Sequence, residues 1–168
     1  LASIITHGVQ VPRLSKIPVW NQTLLPRYLT GMQGLSLTPY PWQKGLLRHL
    51  TALDPHNPNM WAASSFGLSV PRQSGKTMVI GTKVFLDAMF LPDQLIVWTA
   101  HRFKVAREAF RFMQKLTRVH GMEKHISQKN VHTAAGNESL EFNNGSRILF
   151  AARERVAIRG FAKVDRLL

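Results

Sequence analysis

The sequence contains no cysteine and few acidic residues. Its 168 residues include 9 Asp and Glu against 22 Lys and Arg, which gives a formal net charge of +13. The absence of cysteine excludes a disulfide framework and a thiolate metal site. No apolar run approaches the roughly 18 residues that a membrane-spanning helix needs, so we expect no membrane segment. The excess of cations is typical of proteins that bind nucleic acids or nucleotides, the alternative being a merely solvated basic surface.

The apolar periodicity predicts one α/β domain preceded by an arm. Residues 1–36 are rich in proline and glycine and are expected to form an irregular N-terminal arm and approach segment, followed by a domain over residues 37–168. The predicted elements of that domain are a helix over 41–50, a strand over 66–70, a helix over 77–90, a strand over 95–100, a basic helix over 104–121, a hairpin over 139–150 around Asn144-Gly145, and the first half of a buried strand over 164–168. This order is typical of a parallel sheet flanked by helices, with an added β-hairpin.

The segment VPRQSGKT, residues 70–77, carries the clearest chemistry. Gly75, Lys76 and Thr77 fit the end of a phosphate-binding loop, in which glycine lets the backbone approach the phosphates, lysine reaches the β- and γ-phosphates, and the threonine hydroxyl binds Mg²⁺. The loop is expected between a strand and a helix, where backbone N–H groups converge on an anion. Val70 occupies the position of the leading glycine, which is tolerable if the loop begins with an ordinary φ. The expected cofactors are therefore ATP and Mg²⁺.

The segment VPRQSGKT also resembles the Walker A motif of the large terminase subunits, the ATPases that drive genome packaging in tailed bacteriophages. An Arg-Gln pair commonly precedes Gly-Lys-Ser/Thr in that family, and the resemblance extends over residues 37–168. LTPYPWQ, residues 37–43, is similar to the family's adenine-contacting segment. The resemblance implies a nucleotide site formed by Tyr40, Trp42, Gln43, Arg72, Gln73, Ser74, Gly75, Lys76 and Thr77.

Several properties follow from this resemblance as expectations. The fold would be a P-loop NTPase of the ASCE type, and the activity would couple ATP hydrolysis to the packaging of double-stranded DNA into a procapsid. The partners would be duplex DNA, further copies of the chain in a homo-oligomeric ring, the portal and the small terminase subunit. The protein would act in the host cytoplasm, at the procapsid portal.

The sequence departs from the family in its acidic residues. Walker B requires an apolar strand followed by Asp and Glu, which hold Mg²⁺ and polarise the attacking water. No Asp-Glu pair occurs here, and Asp165 precedes its apolar run instead of following it. We therefore expect an ATPase domain that stops before Walker B and is incomplete at its C-terminus. The full-length protein would be an ATPase, whereas this chain alone would be nearly inactive.

Four arginines have competing interpretations. Arg72 would contact the γ-phosphate, the alternative being an ion pair at the sheet edge. The resemblance implies that Arg159 reaches the ATP of a neighbouring subunit as a trans-acting finger. Arg153 and Arg155 are interpreted as a solvated surface or as DNA phosphate contacts. The charged side of the helix over 104–118 is expected to be solvated rather than to read DNA.

Two other functions remain open from the sequence. One is a helicase-like translocase of superfamily 2, which shares an upstream glutamine motif. The other is a DNA-binding or assembly module that keeps the fold but hydrolyses nothing.

Overall fold

The computed structural model describes residues 10–134, 136–153 and 163–168. Their contacts divide the chain into two compact units, Leu1–Arg72 and Gln73–Leu168. The boundary that the sequence suggested between residues 36 and 37 does not coincide with this division. Each unit is therefore described by itself.

The first unit contains two helices and two short strands. Its elements are β1 (Gln22–Thr23), α1 (Leu25–Gly34), α2 (Pro41–Leu50) and β2 (Ala52–Leu53). The two short strands pair antiparallel. The sequence predicted α2 within the same bounds, but it missed α1, which lies in the part expected to be an irregular arm. Proline in the first turn is compatible with a helix, because the N–H that it lacks would have no helical partner there.

The second unit is a mixed α/β structure with a sheet of five strands. Its elements are α3 (Lys76–Phe90), β3 (Leu95–Ala100), α4 (Phe103–Leu116), β4 (Val131–His132), β5 (Ser139–Glu141), β6 (Arg147–Ala152) and β7 (Arg166–Leu167). The strand order is β4-β5-β6-β3-β7. Strands β6, β3 and β7 are parallel, whereas β4 and β5 add antiparallel pairs. The predicted parallel sheet with an added hairpin is thus present in outline.

The core of this unit lies between the helices and strands β3 and β6. Ile96 and Ile148 are fully buried. The ring of Phe110 on α4 packs edge to face on Phe150, with centroids 5.3 Å apart, a geometry favoured by the ring quadrupoles. Gly81 on α3 faces Phe112, and a methyl group at that position would come within 3.2 Å of its ring. The two helices therefore approach each other closely at a residue without a side chain.

The hairpin turn between β5 and β6 joins the sheet to the end of α3. Gly145 has a φ of +86°, as the Asn-Gly pattern predicts. The side chain of Asn144 donates hydrogen bonds to the carbonyl oxygens of Ala88, Met89 and Leu91. These carbonyls belong to the end of the helix, where intrahelical partners are missing. The turn therefore caps α3 as well as closing the hairpin.

Two sequence predictions were wrong in detail. Residues 66–70 form no strand, and Phe66 is 43% exposed. A strand requires a neighbour for its backbone groups, which composition alone does not supply. Helix α4 ends at Leu116 and not near Gly121. The side chain of Gln128 donates to the carbonyl oxygen of Thr117 at 3.0 Å, and this contact from a distant part of the chain accompanies the early end of the helix.

The C-terminal residues form the predicted strand. Strand β7 lies at the edge of the sheet beside β3, and Leu168 exchanges backbone hydrogen bonds with Val97 and Thr99. Leu167 is 57% exposed, so this edge strand is less buried than the sequence predicted.

Candidate functional site

The predicted phosphate-binding loop has an alternating backbone conformation. Gln73 has a φ of +60° and Gly75 a φ of +88°, whereas Arg72, Ser74 and Lys76 have ordinary φ values. Alternation between right-handed and left-handed residues can turn successive N–H groups toward one side, and such a nest binds anions. A left-handed conformation costs a residue other than glycine about 1–2 kcal/mol. The strain at Gln73 therefore marks this loop as a candidate site.

The loop leads directly into α3, whose N-terminus has no negative charge nearby in sequence. Gly75 is the N-cap, Lys76 is the first helical residue, and the first turn contains neither an acidic residue nor a side-chain cap hydrogen bond. The N-terminus of a helix carries the positive end of its dipole, so a lysine there is unfavourable for the isolated helix. This arrangement favours an anion at the start of α3.

The side chains of the loop are accessible. Arg72, Gln73 and Thr77 are exposed, whereas Ser74 and Lys76 are half-buried. No carboxylate of the described residues forms an ion pair with Arg72, so the alternative of a structural ion pair finds no support there. The loop spans the division of the chain after Arg72. The residues with alternating φ, from Gln73 onward, all belong to the second unit.

The predicted adenine-contacting residues lie at the start of α2, within the first unit. Gln43 is fully buried, and its side-chain oxygen accepts a hydrogen bond from the backbone N–H of Tyr40 at 2.8 Å. The backbone N–H of Trp42 donates to the side chain of Gln10 at 3.2 Å. Tyr40 is 55% exposed. In this structure Gln43 caps its own helix, and its contact with a base stays a prediction.

The carboxylate of Asp165 is held in structural contacts. The side chain of Asp165 accepts a hydrogen bond from the backbone N–H of Leu95 at 2.9 Å and pairs with Lys163 at 2.8 Å. Lys163 and the N–H of Leu95 hold the pKa of Asp165 below its ordinary value. These contacts fix Asp165 at the beginning of β3.

A second carboxylate, that of Asp87, is fully buried in α3. It pairs with Lys83 at 2.7 Å and with Arg166 on β7. Burial lowers the pKa of Lys83, and the charge of Arg166 acts in the same direction, while Asp87 opposes both. This cluster links α3 to the edge strand.

Three cations and a histidine lie where the parallel strands end. His101 and Arg102 follow β3, Lys104 lies in the first turn of α4, and Arg153 follows β6, and all four are exposed. Ligands of open α/β sheets bind outside the carboxyl ends of the strands. The sequence predicted no ligand contact for Arg102 and Lys104. Their position is the sequence signal for such a contact, because these two cations lie immediately after a strand and at the start of a helix, where the helix dipole disfavours positive charge.

Two of the predicted arginines, Arg155 and the proposed trans-acting Arg159, lie outside the described residues. The described part of the chain contains no group of three or more His, Asp or Glu side chains that could hold a metal ion. In the same part, no helix is both long enough and apolar enough to cross a membrane.

Comparisons with protein-family models, with curated proteins and with solved structures found no match.

Proposed function

We propose that this chain is the nucleotide-binding part of a motor ATPase that packages double-stranded DNA, of the kind formed by large terminase subunits. The observation that carries the proposal is the sequence Gly75-Lys76-Thr77 at the start of α3, preceded by left-handed residues at Gln73 and Gly75. A nest of N–H groups, a helix dipole and a lysine all favour the same ligand, a polyphosphate.

The proposed roles follow from the position of each residue. Backbone N–H groups of residues 73–77 would surround the β-phosphate, and Lys76 would reach the β- and γ-phosphates. Arg72 would contact the γ-phosphate as its charge develops. The exposed hydroxyl of Thr77, one residue into the helix, would hold the Mg²⁺ that accompanies ATP. Tyr40 and Trp42, with Gln43, would contact the adenine base.

Hydrolysis also needs carboxylates that hold Mg²⁺ and polarise the attacking water, and Glu154 lies outside the described residues. The sequence has no Asp-Glu pair, and both Asp87 and Asp165 are held in structural ion pairs. We therefore expect the 168 residues to bind ATP with little turnover. Duplex DNA, a homo-oligomeric ring, the portal, the small subunit and a location at the procapsid in the host cytoplasm belong to the same proposal through the family resemblance.

Nucleotide binding to Lys76→Ala tests the loop. A hydrogen bond to a charged group is worth about 1.5–3 kcal/mol, so the variant should bind a fluorescent ATP analogue roughly ten- to a hundredfold more weakly. Lys129→Ala, an exposed lysine in the same unit, is the matched control and should bind normally. Circular dichroism must show that both variants are folded.

The outcomes separate the proposed functions. Unchanged affinity in a folded Lys76→Ala variant would contradict the phosphate-binding loop. Binding of duplex DNA without any binding of ATP by the unmodified chain would favour a non-catalytic DNA-binding module. Binding that requires Mg²⁺ and weakens in Thr77→Val would support the proposed metal contact.

A further inference from the structure

Helix α4 has one apolar side and one strongly basic side. Its buried residues are Ala106, Ala109, Phe110, Met113 and Leu116. At about 100° per residue, the side directly opposite contains a row of cations that begins in the first turn and continues just beyond the last. We call this row the basic stripe, and its members are Lys104, Arg107, Arg111, Lys115 and Arg118.

The basic stripe is only partly neutralised. Arg107 pairs with the buried Glu138 at 2.9 Å, and Arg111 pairs with Glu108 at 2.8 Å, where both side chains are more than half exposed. An exposed pair of this kind is weak and can exchange partners. The other three cations, Lys104, Lys115 and Arg118, are exposed and form no ion pair with any carboxylate in the described ranges.

Helix stability does not account for the whole stripe. Lys115 and Arg118 lie at the C-terminal end of α4, where cations interact favourably with the dipole. Lys104 lies in the first turn, which has no acidic residue, and there the dipole opposes a positive charge. The stability of the helix therefore does not explain the position of Lys104.

The sequence favoured a merely solvated face for this helix; we instead propose that the basic stripe is the surface that contacts the phosphates of duplex DNA. From Lys104 to Lys115 the helix advances eleven residues, or about 17 Å at 1.5 Å per residue, and Arg118 lies just beyond its end. A DNA strand places a phosphate about every 3.4 Å along the duplex axis, so the helical part of the stripe is roughly as long as five phosphates. This inference rests on the proposed function, because it assigns to one helix the DNA contact that a packaging motor requires.

The composition of the stripe favours nucleic acid over an acidic protein. Protein interfaces are rich in aromatic and apolar anchors at their centre, whereas the stripe consists only of Lys and Arg. Single-stranded nucleic acid is bound largely by stacking of bases on aromatic rings, and the stripe has no aromatic member. Contacts from cations to a regular backbone are sequence-independent and suit a motor that moves along DNA.

The test compares two triple variants of the full 168-residue chain. Lys104→Gln, Lys115→Gln and Arg118→Gln are combined in the first, which removes three positive charges from the stripe. Arg13→Gln, Lys16→Gln and Lys129→Gln are combined in the second, which removes the same charge from other exposed positions. Binding of a short random-sequence duplex is measured by fluorescence anisotropy over a series of salt concentrations.

The expected result is weaker binding by the stripe variant alone. The slope of log affinity against log salt should become shallower by about 0.9 for each lost phosphate contact, hence by roughly 2–3 for the three together. A third variant with Lys104→Arg, Lys115→Arg and Arg118→Lys keeps the charge and should bind like the unmodified chain. ATP-analogue binding by all three variants should be unchanged.

Each contrary result has its own meaning. If the unmodified chain binds duplex DNA and the two glutamine variants lose equal affinity, net charge and not the stripe explains binding, and the inference is overturned. If the stripe variant binds like the unmodified chain, another surface contacts DNA. Stronger binding of polyglutamate than of duplex DNA would assign the stripe to an acidic protein. If the unmodified chain binds no DNA even at low salt, the proposed function itself fails.

Discussion

Replacing Asn144 with alanine tests whether the hairpin turn stabilises the helix that carries the candidate loop. The side-chain nitrogen of Asn144 donates to the carbonyl oxygen of Ala88 at 2.9 Å, and to those of Met89 and Leu91 at 3.3 Å. The side-chain oxygen accepts from the backbone N–H of Ser146 at 3.1 Å. Asn144→Ala removes all four contacts at once. The other parts of the turn, including the bond from the Ser146 hydroxyl to Leu91, remain.

The magnitude follows from the number and quality of these bonds. A typical hydrogen bond contributes about 1 kcal/mol net, and a buried acceptor left without a partner costs about 1–3 kcal/mol. Two of the bonds are long and Asn144 is half-buried, so water can replace part of the loss. We expect the free energy of unfolding to fall by about 2–3 kcal/mol. For a chain of this size the melting temperature should fall by roughly 4–12 °C, at about 2–4 °C for each kcal/mol.

Urea and thermal unfolding measure this change, and Asn143→Ala is the matched control. Asn143 is the preceding residue, is exposed, and its side chain donates one hydrogen bond, to the carbonyl oxygen of Lys124 at 3.1 Å. The control should lose less than about 1 kcal/mol. Equal losses in the two variants would refute the reasoning, because the effect would then come from the turn in general and not from capping of α3.

Two further predictions concern the carboxylates of the second unit. Asp87→Asn leaves Lys83 and Arg166 without their shared buried anion, so the free energy of unfolding should fall by about 3–5 kcal/mol. The control, Glu108→Gln at an exposed position, should change this free energy little. Similar urea midpoints for the two variants would contradict a stabilising role of the buried cluster. Because the pKa of Asp165 is lowered in the folded state, its stabilising contribution is present above the unfolded value of about 3.9 and is lost as the pH falls through the lower folded value. Between about pH 5 and pH 3, the free energy of unfolding measured in urea should therefore fall more for the unmodified chain than for the Asp165→Asn variant. Equal falls would refute a stabilising role of the ionised Asp165.

The elements that the sequence predicted well are those with strong local signals. Helix α2 begins at Pro41 and has apolar residues at helical spacing, and strand β3 is a six-residue run that is apolar except for Thr99. The hairpin is specified by Asn144-Gly145, because the left-handed φ at the glycine suits a tight turn. In each case the residues that determine the element lie inside it.

The elements that were missed depend on residues far away in the chain. Helix α1 has a proline in its first turn and glycines at two positions, so local propensity opposes it. Its stability comes from tertiary burial of Leu25, Tyr28 and Met32. Residues 66–70 present the opposite case, since they are apolar enough for a strand but form none. A sequence pattern indicates which conformation a segment favours. It does not indicate whether another strand lies beside that segment.

The candidate loop could be predicted although its leading glycine is absent, and the backbone angles explain why. A glycine is required only where φ is positive or where the chain passes very close to a ligand. In this loop φ is positive at Gln73 and Gly75, and it is ordinary at Val70. Valine can therefore adopt the backbone conformation of the first position of the pattern. This is the condition under which the sequence allowed Val70 in place of glycine. The special backbone geometry of this loop lies at Gln73, at Gly75 and at the helix start, so a Val70→Gly variant should bind the ATP analogue no more tightly than the unmodified chain. A large gain in affinity would show that the valine side chain, and not the backbone, limits access to the phosphates.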